Sequence, residues 1–112
     1  MHELSICQSI TRLVEHHAGG RTVRVVRLRV GALRQIVPDT LTYCWGLVTQ
    51  GSDLASATLE IERVPAAIRC ARCDHVHVLT EPVLTCPACQ GREIEIVSGD
   101  EFLITSLDLM EA

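Results

Sequence analysis

Two Cys-x2-Cys pairs constrain the fold of this chain more than any other feature. Cys70 and Cys73 form the first pair, and Cys86 and Cys89 form the second after a spacer of twelve residues. Two such pairs at this separation are typical of a tetrahedral zinc site with four thiolate ligands. Four protein ligands leave no coordination position for a substrate. We therefore predict that the zinc ion is structural and does not act in hydrolysis.

The segment that carries these cysteines, residues 66–92, is too short to bury a hydrophobic core of its own. We expect zinc binding to supply its folding energy, which is roughly 10–16 kcal/mol for a structural site. Two disulfides are the alternative, but nothing in the sequence marks the chain as secreted. The other two cysteines, Cys7 and Cys44, lie on the apolar stripes of predicted helices, and we interpret them as small hydrophobic core residues.

The charge balance argues against a nucleic-acid partner. All ten basic residues are arginines, fourteen residues are acidic and the formal net charge is −4, whereas a nucleic-acid-binding surface is normally basic. No apolar run approaches the ~18–20 residues needed to span a bilayer. The N-terminus contains Glu3 and no basic run ahead of an apolar core, which is unlike a secretory signal. These observations predict a cytoplasmic protein without a membrane partner.

Hydrophobic periodicity predicts two amphipathic helices. In the first, from Glu3 to about His17, the apolar stripe is formed by Leu4, Cys7, Ile10, Val14 and His17 and widened by Ile6 and Leu13. Gly19 and Gly20 are predicted to end this helix. The second helix is predicted to begin near Pro38 and to stop at Gly51, with four residues facing inward: Leu41, Cys44, Leu47 and Val48.

Alternating apolar and polar residues predict strands at 22–30, 57–62, 93–97 and 102–109. The predicted fold class is therefore α+β, a small mixed three-stranded sheet covered by two helices with an inserted four-cysteine zinc-ribbon-like module. In this prediction residues 1–65 and 93–112 form one discontinuous α/β domain, and residues 66–92 form the zinc-binding domain. Arg24, Arg27 and Arg29 are predicted to form a solvated strand face, with a patch for an acidic partner as the alternative.

The first three residues, Met1-His2-Glu3, predict a second metal site. The Nδ1 atom of His2, its backbone amide and the terminal amine can form fused six- and five-membered chelate rings. A planar array of nitrogens is the geometry that Cu(II) or Ni(II) favours. Histidine at position 2 also occurs by chance, so a solvated terminus without metal is the alternative interpretation.

Several short segments follow one another along nearly the whole chain. They are Met1-His2-Glu3-Leu4, Val25-Val-Arg-Leu28, Val30-Gly31-Ala-Leu33, Val37-Pro-Asp-Thr-Leu41, Ala57-Thr-Leu-Glu-Ile-Glu62, Val64-Pro65 before the first cysteine pair, Cys86-Pro-x-Cys89 and Val97-Ser-Gly99. Taken together and in this order, they resemble the HypA family, including its HybF-type relatives. The individual segments are only moderately specific, but their joint order is highly specific.

This resemblance implies a nickel metallochaperone and not an enzyme, one that delivers Ni(II) for maturation of [NiFe]-hydrogenase and, in some organisms, of urease. It implies nickel binding by His2 with the amine of Met1 and neighbouring backbone nitrogens, Glu3 being part of the same motif. It also implies a structural zinc ion at the four cysteines. The implied partners are a HypB-type GTPase, the hydrogenase large-subunit precursor and, for some members, urease maturation proteins; homodimer formation stays open.

Two features leave alternatives. His75 and His77 follow the first cysteine pair, and we interpret them as part of a solvated hairpin, as residues beside the zinc ligands or as extra ligands for incoming nickel. The alternative function is a zinc-ribbon module that binds nucleic acid or protein. Nucleic-acid binding needs a basic surface with aromatic residues, whereas residues 66–92 contain three arginines, two acidic residues and no aromatic residue. The closed zinc site also disfavours a hydrolase.

Overall fold

The structure is a computed structural model that describes residues 2–110. It contains helices α1 (Glu3–Ala18) and α2 (Pro38–Thr49), and a short 3-10 helix between them at Ala32–Arg34. The strands are β1 (Val23–Gly31), β2 (Thr58–Val64), β3 (Ala67–Cys70), β4 (Val76–Val78), β5 (Ile94–Ser98) and β6 (Phe102–Leu109). They form two three-stranded sheets with the orders β2-β1-β6 and β4-β3-β5. The predicted α+β class, with two helices, a three-stranded sheet and a four-cysteine cluster, is confirmed.

The chain divides into two compact units. The first contains the residues up to Leu28, residues 36–61 and the residues from Ile104 onward; the second contains residues 29–35 and 62–103. Strands β1, β2 and β6 each contribute residues to both units. The predicted division into residues 1–65 with 93–112 and residues 66–92 stays a prediction, because compactness does not test which residues fold on their own.

Strand β5 belongs to the same sheet as Cys70, the first residue of the first cysteine pair. It pairs antiparallel with β3, with Ile68 opposite Ile96 and Cys70 opposite Ile94. On its other side β3 pairs antiparallel with β4, which places Ile68 opposite His77. The sheet that carries Cys70 therefore draws one strand from beyond the second cysteine pair.

Helix α1 buries one narrow face. Its buried hydrophobic residues are Cys7, Ile10, Val14 and Ala18, which recur at the three- and four-residue steps of a helical stripe. The helix ends as predicted, at Gly19 with φ 58°, where the Gly19 N–H donates to the Glu15 carbonyl. The predicted stripe is wrong at Leu4 and His17, which are exposed. Its predicted widening is wrong at Leu13, which is also exposed. Ala18, a smaller residue one position further on, completes the buried face.

The buried face of helix α2 matches the predicted one at Leu41 but not at Leu47. Pro38 lies in its first turn as expected, but the buried residues are Leu41, Trp45 and Thr49, which are spaced by four. Leu47 is exposed, so its predicted inward position is wrong. Trp45 has the largest apolar surface of the helix, and its Nε1–H donates to the Ala57 carbonyl at 3.1 Å.

Two arginines of β1, Arg27 and Arg29, are paired with carboxylates of neighbouring strands. Arg27 makes a bidentate contact with Asp108 at 2.8 and 2.9 Å, and its Nε donates to Glu60 at 3.1 Å. The Arg27 guanidinium lowers the pKa of the Asp108 carboxyl. Arg29 pairs with Glu62 at 3.4 Å. These carboxylates offset the positive charge that a patch for an acidic partner would need, which favours the solvated strand face.

Within residues 2–110, no helix has the length and hydropathy needed to cross a bilayer.

The difference between two residues of α1 provides a test of the core. Ile10 is 1% exposed and Leu13 is 52% exposed. We expect Ile10→Ala to lower the free energy of unfolding by about 2–5 kcal/mol, because it leaves a cavity. The matched variant Leu13→Ala should change it by less than about 0.5 kcal/mol. Urea denaturation of both variants measures this, and equal losses would contradict the buried face described here.

Candidate metal centre

The two cysteine pairs form two turns that repeat the same backbone hydrogen bonds. In each, the N–H of the first cysteine donates to the carbonyl five residues further on: Cys70 to His75 at 3.1 Å and Cys86 to Gly91 at 2.9 Å. The carbonyl of the first cysteine accepts from the N–H four residues on, at 2.8 Å in both turns. The sequence similarity of the pairs therefore corresponds to a duplicated local structure.

A residue in the left-handed region closes each turn. Asp74 has φ 56° and Gln90 has φ 58°, and neither is glycine, although L-residues pay a steric cost there. Each directly follows the second cysteine of its pair. Sequence analysis missed these two residues, and their shared position after Cys-x2-Cys is the signal that could have found them.

The two turns bring the four cysteine sulfurs together. All four Sγ atoms lie within 4.8 Å of one another. Cys70 and Cys89 are 3.7 Å apart, and Cys73 and Cys86 are 3.8 Å apart. A regular tetrahedron with Zn–S bonds of 2.3 Å has sulfur–sulfur edges of about 3.8 Å, whereas a disulfide bond is about 2.05 Å long. These distances fit a four-thiolate zinc site and not two disulfides.

The environment of the sulfurs also suits a divalent cation. Burial alone would raise the pKa of Cys86, but hydrogen bonds from the backbone N–H groups of Cys89 and Ala88 outweigh it and lower this pKa to about 6. Hydrogen bonds with the sulfurs of Cys89, Cys86 and Cys70 raise the pKa of Cys73 to about 12. Thiolates this close repel one another, and a bound divalent cation offsets that repulsion for all four.

The two histidines after the first pair differ in their contacts with the cysteines. The Nε2 atom of His77 lies 3.7 Å from Cys86 Sγ, and the side chain is half-buried. His75 is exposed, and its ring lies edge-on to that of His77 with centroids 6.4 Å apart. Sequence spacing predicted the same environment for both residues. In the structure, His77 contacts a cysteine sulfur and His75 is exposed to solvent.

The predicted nickel residues lie at the start of α1. His2 precedes the first helical residue, its side chain is exposed, and its carbonyl accepts from the Ile6 N–H at 2.9 Å. Glu3 is the first residue of the helix and is buried. Met1 lies outside the described residues. The nickel assignment to these three residues stays a prediction.

The whole-chain resemblance is confirmed by comparison with known proteins. A family model described as "HypA: Hydrogenase/urease nickel incorporation, metallochaperone" matches residues 1–109. The chain belongs to the HypA family. Because the family is one of metallochaperones, the prediction that this chain is not an enzyme is confirmed.

Similar proteins in the HypA family match along their full length. The hydrogenase maturation factor HypA of Desulfosudis oleivorans is 39% identical over 99% of this chain and 100% of its own length. That of Geotalea uraniireducens is 38% identical over 97% of this chain and 99% of its own. The solution structure of the nickel metallochaperone HypA from Helicobacter pylori has a TM-score of 0.69 at 22% identity and covers 100% of both chains. This likeness shows a shared fold.

Proposed function

We propose that this chain binds Ni(II) at its N-terminus and delivers it during maturation of a [NiFe]-hydrogenase. The observation that carries this proposal is the match of residues 1–109 to the HypA model, supported by relatives named as hydrogenase maturation factors. The description of the family model also mentions urease. We therefore propose a urease as the alternative enzyme to which this chain delivers Ni(II).

The position of His2 favours the proposed nickel chemistry. The ligands are the amine of Met1, the backbone nitrogen of His2 and its imidazole, and the backbone nitrogen has to lose its proton. The first N–H groups of a helix have no intrahelical acceptor. Because His2 precedes the first helical residue, losing its N–H proton breaks no hydrogen bond of α1. The exposed imidazole is accessible to nickel and to an acceptor protein. Glu3, a buried residue at the first position of α1, completes the proposed set beside these nitrogens.

We propose that the four cysteines hold a structural zinc ion. Zinc supplies a cross-link between Cys70 at the end of β3, Cys73 in the turn that follows and the turn at Cys86–Cys89. The sulfur–sulfur distances of 3.7 and 3.8 Å support this assignment. The buried Cys70 and Cys86 and the half-buried Cys73 and Cys89 would enclose the ion. No coordination position is left for nickel at this centre.

The proposed partners follow from the maturation role. They are a HypB-type GTPase and the hydrogenase large-subunit precursor, with urease maturation proteins where a urease is served, and we propose that delivery takes place in the cytoplasm. Co-purification of the untagged chain with each candidate, with and without Ni(II), would test these partners. Binding of neither would contradict the proposed delivery route.

The nickel site is tested by replacing one side chain and by blocking one amine. We expect His2→Ala to abolish stoichiometric Ni(II) binding in calorimetry, because the variant loses the imidazole of the chelate. An N-terminal extension that blocks the amine of Met1 should have the same effect. In both proteins the zinc content should remain at one ion per chain.

His16→Ala is the matched control, because His16 is an exposed histidine at the other end of α1. It should bind nickel like the unmodified chain. Unchanged nickel affinity in both His2→Ala and the extended protein would overturn the N-terminal site, while leaving the zinc assignment untouched.

A further inference from the structure

One histidine of the second unit lies against a single sulfur of the cysteine cluster. His77 is in the middle of β4, opposite the fully buried Ile68 in β3. Its Nε2 atom lies 3.7 Å from Cys86 Sγ, a distance at which a nitrogen donor still contacts the large sulfur atom. Strand pairing therefore holds the backbone of His77, and from that position its ring contacts Cys86.

The same geometry argues that His77 is not itself a metal ligand. Among the described residues, the only group of three or more ligand atoms that lie within 4.8 Å of one another consists of the four cysteine sulfurs. The nitrogen of His77 is outside that group, although it touches one of its members. It therefore approaches the cluster from outside, next to Cys86.

A zinc ion with four thiolates carries a net charge of −2. Hydrogen-bond donors around the cluster stabilise this negative charge. Donors that point at a thiolate withdraw charge from the sulfur, which holds it in its ionised, metal-bound form. Cys70 Sγ already accepts from the backbone N–H of Cys73 at 3.5 Å. Cys86 is the sulfur that has a side-chain nitrogen beside it.

We propose that His77 is a positioning residue of the zinc site, whose Nε2–H group donates a hydrogen bond to the Cys86 thiolate and so slows the release of zinc. This inference rests on the zinc site proposed above. It assigns the proton to Nε2, which leaves Nδ1 as the acceptor nitrogen. It also separates His77 from His75, whose side chain is exposed.

Two substitutions at position 77 separate hydrogen bonding from packing. His77→Phe keeps a ring of similar shape but removes the donor, whereas His77→Gln keeps an N–H donor on a flexible chain. His75→Phe is the matched control on the neighbouring exposed histidine. The measurement is the rate of zinc loss to an excess of a chromogenic chelator, followed by absorbance on the full chain.

We expect His77→Phe to release zinc about 10-fold faster or more, as is typical when a hydrogen-bond partner of a metal ligand is lost. His77→Gln should lie closer to the unmodified protein, and His75→Phe should match it. In the Co(II)-substituted protein, His77→Phe should also shift the sulfur-to-cobalt charge-transfer band, because one sulfur carries more charge. A purely structural role would not move this band.

Several outcomes would overturn the proposal. Zinc release from His77→Phe at the unmodified rate would do so, as would equal acceleration in the Phe and Gln variants, which would show that ring packing alone matters. A Co(II) spectrum with three sulfurs and one nitrogen in the unmodified chain and in His75→Phe, but not in His77→Phe, would make His77 a ligand instead. A chain that binds no zinc at all would refute the zinc site itself, and zinc content separates that result from the others.

Discussion

Replacing Cys73 with serine is expected to unfold the cysteine module, which comprises residues 66–98. The burial pattern of the module explains why. The buried hydrophobic residues of this segment are few, and all but one are small: Ala66, Ala67, Ile68, Cys70 and Cys86. Six of the larger apolar residues are exposed by 40% or more: Val76, Val78, Val83, Leu84, Ile96 and Val97. A segment with a single large buried side chain has almost no hydrophobic core to hold it.

The proposed zinc ion would supply the missing stability. Structural zinc sites contribute roughly 10–16 kcal/mol, which is comparable to the total stability of about 5–15 kcal/mol for a typical domain. Cys73→Ser removes one of four thiolates and should therefore abolish zinc retention. We expect the amide resonances of β3, β4 and β5 to collapse to the narrow range of an unfolded chain in the ¹H–¹⁵N spectrum. Treating the unmodified protein with a strong chelator should give the same result.

The matched control is Cys44→Ser, because Cys44 is a half-buried cysteine outside the cluster. This variant should keep one zinc ion per chain and a dispersed spectrum. Resonances of β3, β4 and β5 that stay dispersed in zinc-free Cys73→Ser would show that the module folds without metal. They would refute the idea that zinc binding supplies its folding energy.

Local features of the structure were the predictable ones. The cysteine spacing indicated that four sulfurs could converge, since two short turns determine where each pair points. The end of α1 at Gly19 was predictable for the same reason, because glycine adopts a positive φ without steric cost. Both features depend on residues that are close together in the chain.

Features that depend on distant parts of the chain were not predictable from pattern. Residues 93–96 alternate between acidic and apolar side chains, and this pattern suits an edge strand of either sheet. Only its pairing with β3 places β5 in the sheet that contains Cys70. Likewise, the difference between His75 and His77 arises from the approach of Cys86 to one of them. No local spacing encodes that approach.

The buried faces of the helices illustrate the same limit. Leu13 and Leu47 match the hydrophobic period of their helices, but they are exposed. A helical stripe predicts a range of positions about 100° wide, and packing against the other elements decides which edge of that range is buried. On α2 the hydrophobic period did not predict burial of Trp45, whose indole N–H donates to the Ala57 carbonyl.

Gly99→Ala is expected to destabilise the second unit strongly, because two costs coincide at this residue. Its φ is +101°, a conformation that L-residues rarely adopt, and an added Cβ would overlap Ala66 Cα and lie 2.9 Å from Ala66 Cβ. The backbone cannot shift easily to relieve this contact. Gly99 donates to the Glu101 carboxylate at 2.8 Å, and its carbonyl accepts from the Leu33 N–H at 2.8 Å.

We expect Gly99→Ala to lower the free energy of unfolding by about 2–5 kcal/mol, as the sum of about 1–2 kcal/mol for the positive φ and about 1–3 kcal/mol for the overlap. Gly20→Ala is the matched control, because Gly20 has φ +86° and an added Cβ would meet no atom within 4 Å. Gly20→Ala should therefore lose only the contribution of the positive φ, about 1–2 kcal/mol. Urea denaturation of the zinc-loaded variants measures the difference between them. Equal losses at the two positions would mean that the chain relaxes around position 99 and that the close approach of Gly99 to Ala66 is not required for the fold.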